Sequence, residues 1–167
     1  MKIISGGQTG ADLAGLQVGR ELGYETGGWA PKNWKTSEGS KKVLLESYNL
    51  VESEYGYRGR TRDNVRDSDV TMRLAVNFSS PGEECTMLAI STYEKFWFDV
   101  NLLNPPSLQE ALVFLLNHQP QIINIAGNTQ FTERYDIEGM VYDYLKPLLE
   151  EYDKLMKKFN VITRNLK

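Results

Sequence analysis

The hydrophobic pattern of the first 30 residues changes from strand to helix and back to strand. A short extended segment at 2–5 leads into a glycine-rich turn, and residues 11–22 then carry apolar side chains at helical spacing. Gly23 suits the end of that helix, and residues 24–29 are predicted as the second strand. This order of strand, glycine turn, helix and strand is typical of the βαβ unit that opens a Rossmann-like sheet.

The rest of the chain repeats this alternation. Further strands are predicted at 70–78, 96–103 and 121–127, and helices at 83–95, 107–118 and 132–158, the last kinked at Pro147. Strands that alternate with helices indicate a mainly parallel sheet with helices on both faces. We therefore predict the α/β class, with a single Rossmann-like domain over 1–167 and about five strands.

Two segments are less regular. Residues 32–57 are polar and show little period, so they are predicted as a long loop with a short extended piece near 48–52. Thr61 is predicted to cap a short helix that runs to Val65, which would put Arg60 and Arg62 at a helix N-terminus.

Composition and charge limit the possible partners. With 41% hydrophobic and 25% charged residues, the chain has the composition of a globular protein. No apolar run approaches the roughly 18 residues that span a bilayer, and the first residues lack the apolar core of a signal peptide. A single cysteine, Cys85, forms no internal disulfide, which favours a cytoplasmic location. The net charge of −3 argues against nucleic acid as the main partner.

The strongest candidate site is the turn between the first strand and the first helix. It consists of Ser5, Gly6, Gly7, Gln8, Thr9, Gly10, Ala11 and Asp12. The first amide groups of a helix lack partners and carry partial positive charge, and glycines let a ligand approach the backbone, so we expect the turn to hold a phosphate or another oxyanion. The alternative is a tight turn that Thr9 caps. Asp12 either caps locally or faces the ligand.

Other candidate residues follow later strands, where ligands of parallel sheets bind. Trp29 and Lys32, after the second strand, are expected to stack on a heterocycle and to neutralise a phosphate, or to be a core Trp beside a solvated Lys. Two turns rich in small residues complete the set: Ser79, Ser80, Pro81 and Gly82 with Thr86, and Gly127 with Asn128. The arginines at 58–66 alternate with aspartates, which fits either an anion site or a salt-bridged helix face.

The sequence contains few candidate catalytic side chains. His118 is the sole histidine and is expected at the surface, and Cys85 is expected to be a buried, inert thiol. Glu83 and Glu84 are explained as charges at a helix start, with acid/base chemistry as the alternative. No cysteine and histidine cluster has metal-ligand spacing.

Taken in order, the motifs resemble those of the molybdenum carrier family, the circularly permuted YpsA branch of the SLOG superfamily. They are Ser-Gly-Gly-Gln-Thr-Gly-Ala-Asp at 5–12, Gly-Gly-Trp-Ala-Pro-Lys at 27–32, Arg-Thr-Arg-Asp-Asn-Val at 60–65, Asp-Ser-Asp at 67–69 and Ile-Ala-Gly-Asn at 125–128. The resemblance implies a Rossmann-like fold, oligomers in some members, and a site for molybdenum cofactor or a nucleotide-derived ligand. It implies a phosphate-holding turn at 6–10 and supporting groups at Trp29, Lys32, Arg60, Thr61, Asn64 and Ser68. Glu83 and Glu84 stand where relatives usually have a Gly-Thr turn, and they would repel a second phosphate.

The leading hypothesis is a carrier, sensor or sequestering protein for a phosphorylated nucleotide-derived or pterin-like molecule. The competing hypothesis is a hydrolase that cleaves an N-glycosidic or phosphate bond of a nucleotide, with Asp12, Glu83 or Glu84 as acid or base. A third is an interaction module that self-associates through the helix at 132–158. A homo-oligomer is expected in each case.

Overall fold

Outside residues 32–57, strands and helices alternate along the chain in the predicted order. In this computed structural model, which describes the backbone of 1–165 and the side chains of 1–159, the strands are β1 (Lys2–Ile4), β2 (Glu25–Ala30), β3 (Lys35–Thr36), β4 (Gly39–Ser40), β5 (Leu50–Glu52), β6 (Val70–Ala75), β7 (Phe96–Asn101) and β8 (Ile122–Gly127). The helices are α1 (Ala11–Glu21), α2 (Lys42–Ser47), α3 (Tyr57–Arg66), α4 (Pro81–Thr92), α5 (Leu108–His118) and α6 (Ile137–Asn165). The last two residues of the predicted 1–167 domain lie outside the described residues.

Six strands form one sheet in the order β5-β2-β1-β8-β6-β7, and every pairing in it is parallel. The short strands β3 and β4 pair separately and antiparallel. The α/β, Rossmann-like class is confirmed, with one strand more than the predicted five. The extra strand is β5, which the sequence indicated only as a short extended piece.

The segment 32–57 is not the long loop that was predicted. It contains a single 3₁₀ turn, the β3–β4 hairpin, α2 and β5. Four of its apolar residues are buried against Leu16 of α1 in one cluster: Trp34, Leu45, Tyr48 and Leu50. Because these residues belong to several short elements, they show no single period along the chain.

Two helix starts differ from the prediction. The helix α3 begins at Tyr57 after Gly56, so Thr61 is an interior residue and not the N-cap. The final helix begins at Ile137, after a 3₁₀ turn at Thr132–Arg134, and continues past Pro147.

Helices cover both faces of the sheet. Apolar residues of α1, α5 and α6 form one core with β1, β6, β7 and β8, and α3 and α4 pack together through a separate cluster of Val65, Ala89 and Ile90. The chain leaves β1 toward α1 on one face and leaves β6 toward α4 on the other, with β8 between them in the sheet. Such a divergence of connections opens a crevice at the carboxyl edge of a parallel sheet.

None of the helices within 1–165 is both long and apolar enough to cross a lipid bilayer.

Candidate functional site

The glycine-rich turn after β1 is closed by the protein's own groups. Five consecutive backbone amides donate to internal acceptors: Gly7 to Ser5 Oγ (3.2 Å), Gln8 to Asp12 Oδ2 (3.0 Å), Thr9 to Gln8 Oε1 (3.0 Å), Gly10 to Glu138 Oε1 (3.0 Å) and Ala11 to the carbonyl of Asn128 (3.0 Å). The expectation that these amides are exposed toward a ligand is therefore wrong. Their hydrogen bonds instead hold the turn against α6 and against the segment after β8.

The carboxylate of Asp12 takes the place expected for a ligand oxyanion. It is buried, accepts the Gln8 amide, and lies 3.2 Å from Nη1 of Arg60. Burial raises the pKa of Asp12, and the Arg60 charge and the amides of Gln8 and Gly6 oppose that rise. The turn thus pairs its positive groups with an internal anion.

The glycines of this turn are explained by close packing inside the protein. A Cβ atom at Gly6 would lie 1.5 Å from Nη1 of Arg60. Gly10 has a φ of +95°, and a Cβ there would lie 2.4 Å from the carbonyl oxygen of Asn128. Both glycines therefore let neighbouring protein atoms approach, where the sequence suggested the approach of a ligand.

The open space lies beside this turn, between α3 and α4. A cavity of about 320 Å³ occurs there at the carboxyl edge of the sheet. Its walls come from four segments: Gln8 and Asp12; Tyr57, Arg58, Arg60 and Thr61; Pro81, Gly82, Glu83, Cys85 and Thr86; and Ala126, Gly127 and Thr129. This volume is at the lower end of the range for small-molecule sites.

The sequence left two interpretations for the arginines of α3, an anion site or a salt-bridged helix face, and each interpretation fits some of them. Arg66 is held by Asp63 and Asp67, as expected of a salt-bridged helix face. Arg58 and Arg60 line the cavity, and Nε of Arg60 is buried without a hydrogen-bond partner among the described residues. Because α3 begins at Tyr57, Arg60 and Arg62 lie inside the helix and not at the N-terminus that Thr61 was predicted to cap.

The first turn of α4 places a buried carboxyl in the cavity wall. Ser80 caps this helix by accepting the amide of Glu83 (3.4 Å), and the Glu83 residue is only 1% exposed. Its Oε2 atom lies 3.8 Å from Nη1 of Arg73 and has no hydrogen-bond partner in the described part of the chain. Burial raises the pKa of Glu83 to about 7. An ordinary helix-start charge describes the exposed Glu84 but not Glu83.

Arg73 connects this carboxyl to the outer strand of the sheet. The guanidinium, on β6, donates to both carboxylate oxygens of Asp99 on β7, at 2.8 and 2.5 Å. It also donates to the backbone carbonyl of Glu83 at 3.4 Å. Arg73 is buried, and the bidentate pair with Asp99 balances its charge.

Three predicted site residues lie away from the cavity. Trp29 donates from Nε1 to Asp67 (2.7 Å), Lys32 lies beside Glu52 and Tyr55, and Ser68 donates to the carbonyl of Val65 before β6 begins. Ser68 is at the amino edge of the sheet. Lys32 begins a separate 3₁₀ turn after β2 and lines a different pocket, so it is not among the residues around the cavity beside Arg60.

Three other predicted residues, Asn64, Asn128 and Ser80, hold the elements around the cavity together, and a fourth, Ser79, does not. Asn64 clamps α3 to β2, because its amide group bonds both the N–H and the carbonyl of Trp29. Asn128 accepts the amides of Val76 and Asn77 and so ties the end of β8 to the turn after β6. Ser80 caps α4, and Ser79 is exposed, with its amide bonded to Asn77.

Of the predicted set, eight residues line the cavity directly: Gln8, Asp12, Arg60, Thr61, Pro81, Gly82, Thr86 and Gly127. Sequence reasoning missed Tyr57, because the start of α3 was hidden in the supposed loop, and it did not assign the half-buried Cys85 to the site. Burial raises the pKa of the Cys85 thiol, and the nearby Arg58 opposes the rise. Among the described residues, no group of three His, Cys, Asp or Glu side chains could hold a metal ion.

The sheet order and the position of the cavity define a Rossmann-like α/β protein with its candidate ligand site at the topological switch point. The chain belongs to the circularly permutated YpsA SLOG family, whose model matches residues 3–149. It is similar to the crystal structure of a putative molybdenum carrier protein from Syntrophus aciditrophicus SB, with 32% sequence identity and a TM-score of 0.78 over 89% of this chain and 94% of that one. A comparison with curated proteins gave no match.

Proposed function

We propose that the protein binds a phosphorylated nucleotide-derived or pterin-like molecule in the cavity between α3 and α4 and acts as a carrier, sensor or sequestering protein. The observation that carries this proposal is the cavity itself, which combines apolar walls, two arginines and the start of a twelve-residue helix. The likeness to a molybdenum carrier protein supports a binding role and makes molybdenum cofactor one candidate ligand.

The phosphate of such a ligand belongs at Arg58 and the amino end of α4. Arg58 is exposed in the cavity wall, and a helix start favours negative charge. Gly82 leaves room there, because a Cβ atom on it would meet nothing within 4 Å among the described residues. The repulsion expected from two glutamates is reduced, since Glu84 is exposed and the raised pKa of about 7 leaves Glu83 partly neutral near pH 7.

A planar ring system fits the remaining walls. Tyr57, Pro81 and Ala126 provide apolar surface in the same cavity, and aromatic side chains stack on flat heterocycles. A nucleobase or a pterin has a face for these walls and polar edges for the hydroxyl of Thr61 or Thr86. The ligand class therefore joins one flat ring to one anionic group.

Calorimetric titration and thermal shift against GMP, AMP, ADP-ribose and molybdopterin test this function. We expect at least one to bind, to raise the melting temperature and to bind more tightly than inorganic phosphate, because the ring adds apolar contact. If none binds more tightly than inorganic phosphate, the proposed function is wrong.

A second candidate function is hydrolysis of an N-glycosidic bond, and the carboxyl of Glu83 is the observation that favours it. A pKa of about 7 suits an acid that gives a proton to a departing base while water adds to the sugar carbon. Incubation with nucleoside monophosphates, followed by chromatography for the free base, separates turnover from binding. Turnover that is lost in Glu83→Gln and kept in Glu84→Gln would establish the hydrolase; no free base would exclude it for those substrates.

A further inference from the structure

The outer strand β7 presents an unusually apolar free edge. It pairs with β6 over six residues and is the last strand of the sheet among the described residues. Edge strands are ordinarily short or protected by lysine or proline. β7 reads Phe-Trp-Phe-Asp-Val-Asn, and its one charged side chain, Asp99, is turned to Arg73 of the neighbouring strand.

Exposed apolar side chains occur on β7 and on the segments that precede and follow it in the chain. The exposed fractions are 60% for Phe96, 46% for Trp97, 50% for Leu103, 69% for Leu88 on α4 and 55% for Val113 on α5. A large aromatic side chain buries on the order of 150–250 Å² when fully covered, so the exposed parts of Phe96 and Trp97 together offer roughly 200 Å² of apolar surface. A standard interface buries about 800 Å² per partner, of which somewhat more than half is apolar. Phe96 and Trp97 supply about half of the apolar area that one side of such an interface needs, and Leu88, Leu103 and Val113 have exposed apolar surface for the remainder.

The edge is also complementary to itself. If two copies of β7 pair antiparallel about a twofold axis at Trp97, Phe96 lies opposite Phe98 of the second copy, and Lys95 lies opposite Asp99. Alternation along β7 puts Trp97 and Asp99 on one face and both phenylalanines on the other, and Lys95, the residue before the strand, continues the face of Trp97 if the pairing extends to it. Directly opposed aromatic pairs and opposite charges each stabilise antiparallel strands. A twofold interface requires such self-complementarity.

Lys95 and Asp99 can still form an ion pair with a second copy, because neither is fully engaged within its own chain. The ammonium of Lys95 donates one hydrogen bond, to the carbonyl of Ser68 (2.7 Å), and has two further donors. The carboxylate of Asp99 remains 38% exposed beside Arg73. The opposite edge of the sheet lacks this pattern, because β5 has three residues and one exposed apolar side chain, Val51.

We propose that a second copy of this chain pairs with β7, so that two six-stranded sheets join into one twelve-stranded sheet through antiparallel β7 strands centred on Trp97. The same contact places Asp99 of each copy between Arg73 of its own chain and Lys95 of the other. The interface thereby reaches the buried network that contains Glu83.

Light scattering after gel filtration tests the assembly. We expect the chain at about 100 µM to run at twice the 19.0 kDa mass of one copy, and Phe96→Lys to run as a monomer with an unchanged circular dichroism spectrum. Val43→Lys, at an exposed apolar position on α2, is the matched control and keeps the dimer. A monomeric parent chain, or a dimer that survives Phe96→Lys, would overturn the proposal.

Cross-linking tests the register without a disruptive charge. In a Cys85→Ser background, Trp97→Cys places two thiols on the twofold axis, at the separation of directly opposed strand residues. We expect a short bis-maleimide to join most of the Trp97→Cys chains and less than a tenth of the Val51→Cys chains, which carry the thiol on the β5 edge. Equal cross-linking of both variants, or of neither, contradicts pairing through β7 and would point to a different partner for the apolar patch.

Discussion

Two strand-to-helix turns lie side by side at the carboxyl edge of the sheet, and they differ in what fills them. The turn after β1 has three glycines in five residues, yet its amides are bonded to Ser5, Gln8, Asp12, Glu138 and Asn128. The turn after β6 has a single glycine and opens into a cavity of about 320 Å³. The turn with the stronger phosphate-loop pattern is thus the closed one.

The difference shows that a glycine in a turn indicates that another group lies close to its backbone. The glycine does not indicate whether that group belongs to the protein or to a ligand. At Gly6 that group is the guanidinium of Arg60, and at Gly10 it is the backbone of the segment after β8. At Gly82 nothing within the described residues approaches. An internal carboxylate, Asp12, satisfies the first turn, and the second remains available for a ligand.

The largest expected effect comes from one methyl group placed in each turn. Gly10→Ala forces a residue with a side chain into a φ of +95° and against the Asn128 carbonyl, so we expect a loss of about 4 kcal/mol in the free energy of unfolding. Gly82→Ala enters open space near a helix start, and we expect a change within about 0.5 kcal/mol. Urea denaturation measures both; equal losses would contradict the contrast between the turns.

A second effect distinguishes the two glutamates of the open turn. Because the folded-state pKa of Glu83, about 7, exceeds the ordinary value of 4.5, its protonated form stabilises the fold below pH 4.5, and that contribution is lost as the pH rises through 7. Between these values the loss is about 3 kcal/mol, since one pKa unit corresponds to about 1.4 kcal/mol. Glu83→Gln, always neutral, should therefore gain up to about 3 kcal/mol over the parent chain between pH 4.5 and 8.

Denaturation midpoints across that pH range check this prediction. Glu84→Gln is the control, because Glu84 is exposed one residue further along the same helix turn, and its curve should run parallel to that of the parent chain. A Glu83→Gln curve that is also parallel to the parent curve would show that the carboxyl is ionised throughout and not held neutral by burial.

A third effect separates two arginines of α3. Arg58 lines the cavity and Arg62, also exposed, does not. For the tightest-binding probe among GMP, AMP, ADP-ribose and molybdopterin, we expect Arg58→Ala to weaken binding by about tenfold, the value of one charged hydrogen bond to phosphate, and Arg62→Ala by less than twofold. Calorimetric titration measures both affinities. Equal losses of affinity in the two variants would mean that the overall positive potential of α3, and not a specific contact of Arg58, contributes to binding.

The smallest effect concerns Trp29, which the sequence placed in the site and the structure places beside Asp67. Trp29→Phe removes the indole hydrogen bond and should cost about 1 kcal/mol of stability, while affinity for the same probe stays within twofold of the parent value. A large loss of affinity in a folded Trp29→Phe protein would return this residue to the ligand site.

The sequence alone predicted the fold class and the edge of the sheet at which the candidate site lies. Apolar patterns indicated α1, α5, α6 and five of the six strands, because each of these elements buries one regular stripe or a continuous run. The start of α3 was missed, since Tyr57 follows short elements whose burial is shared with Leu16 of α1 and not visible locally. As a result Thr61 was taken for a cap and Tyr57 for loop.

Within the site, residue type was predictable and pairing was not. Arg60 was correctly placed near the first turn, but its partner Asp12 and the bonding of the turn amides depend on contacts across up to 128 residues, such as that between Gly10 and Glu138. The burial of Glu83 likewise depends on Arg73 and on the packing of α4 over the sheet. No local pattern reports such contacts.

A crystal structure of the chain with GMP or molybdopterin bound tests the central claim most directly. We expect the ring between α3 and α4, the phosphate at Arg58 and Gly82, and the Asp12 carboxylate still bonded to the Gln8 amide. A phosphate seated on the amides of Gly7 to Gly10, with Asp12 displaced, would contradict it.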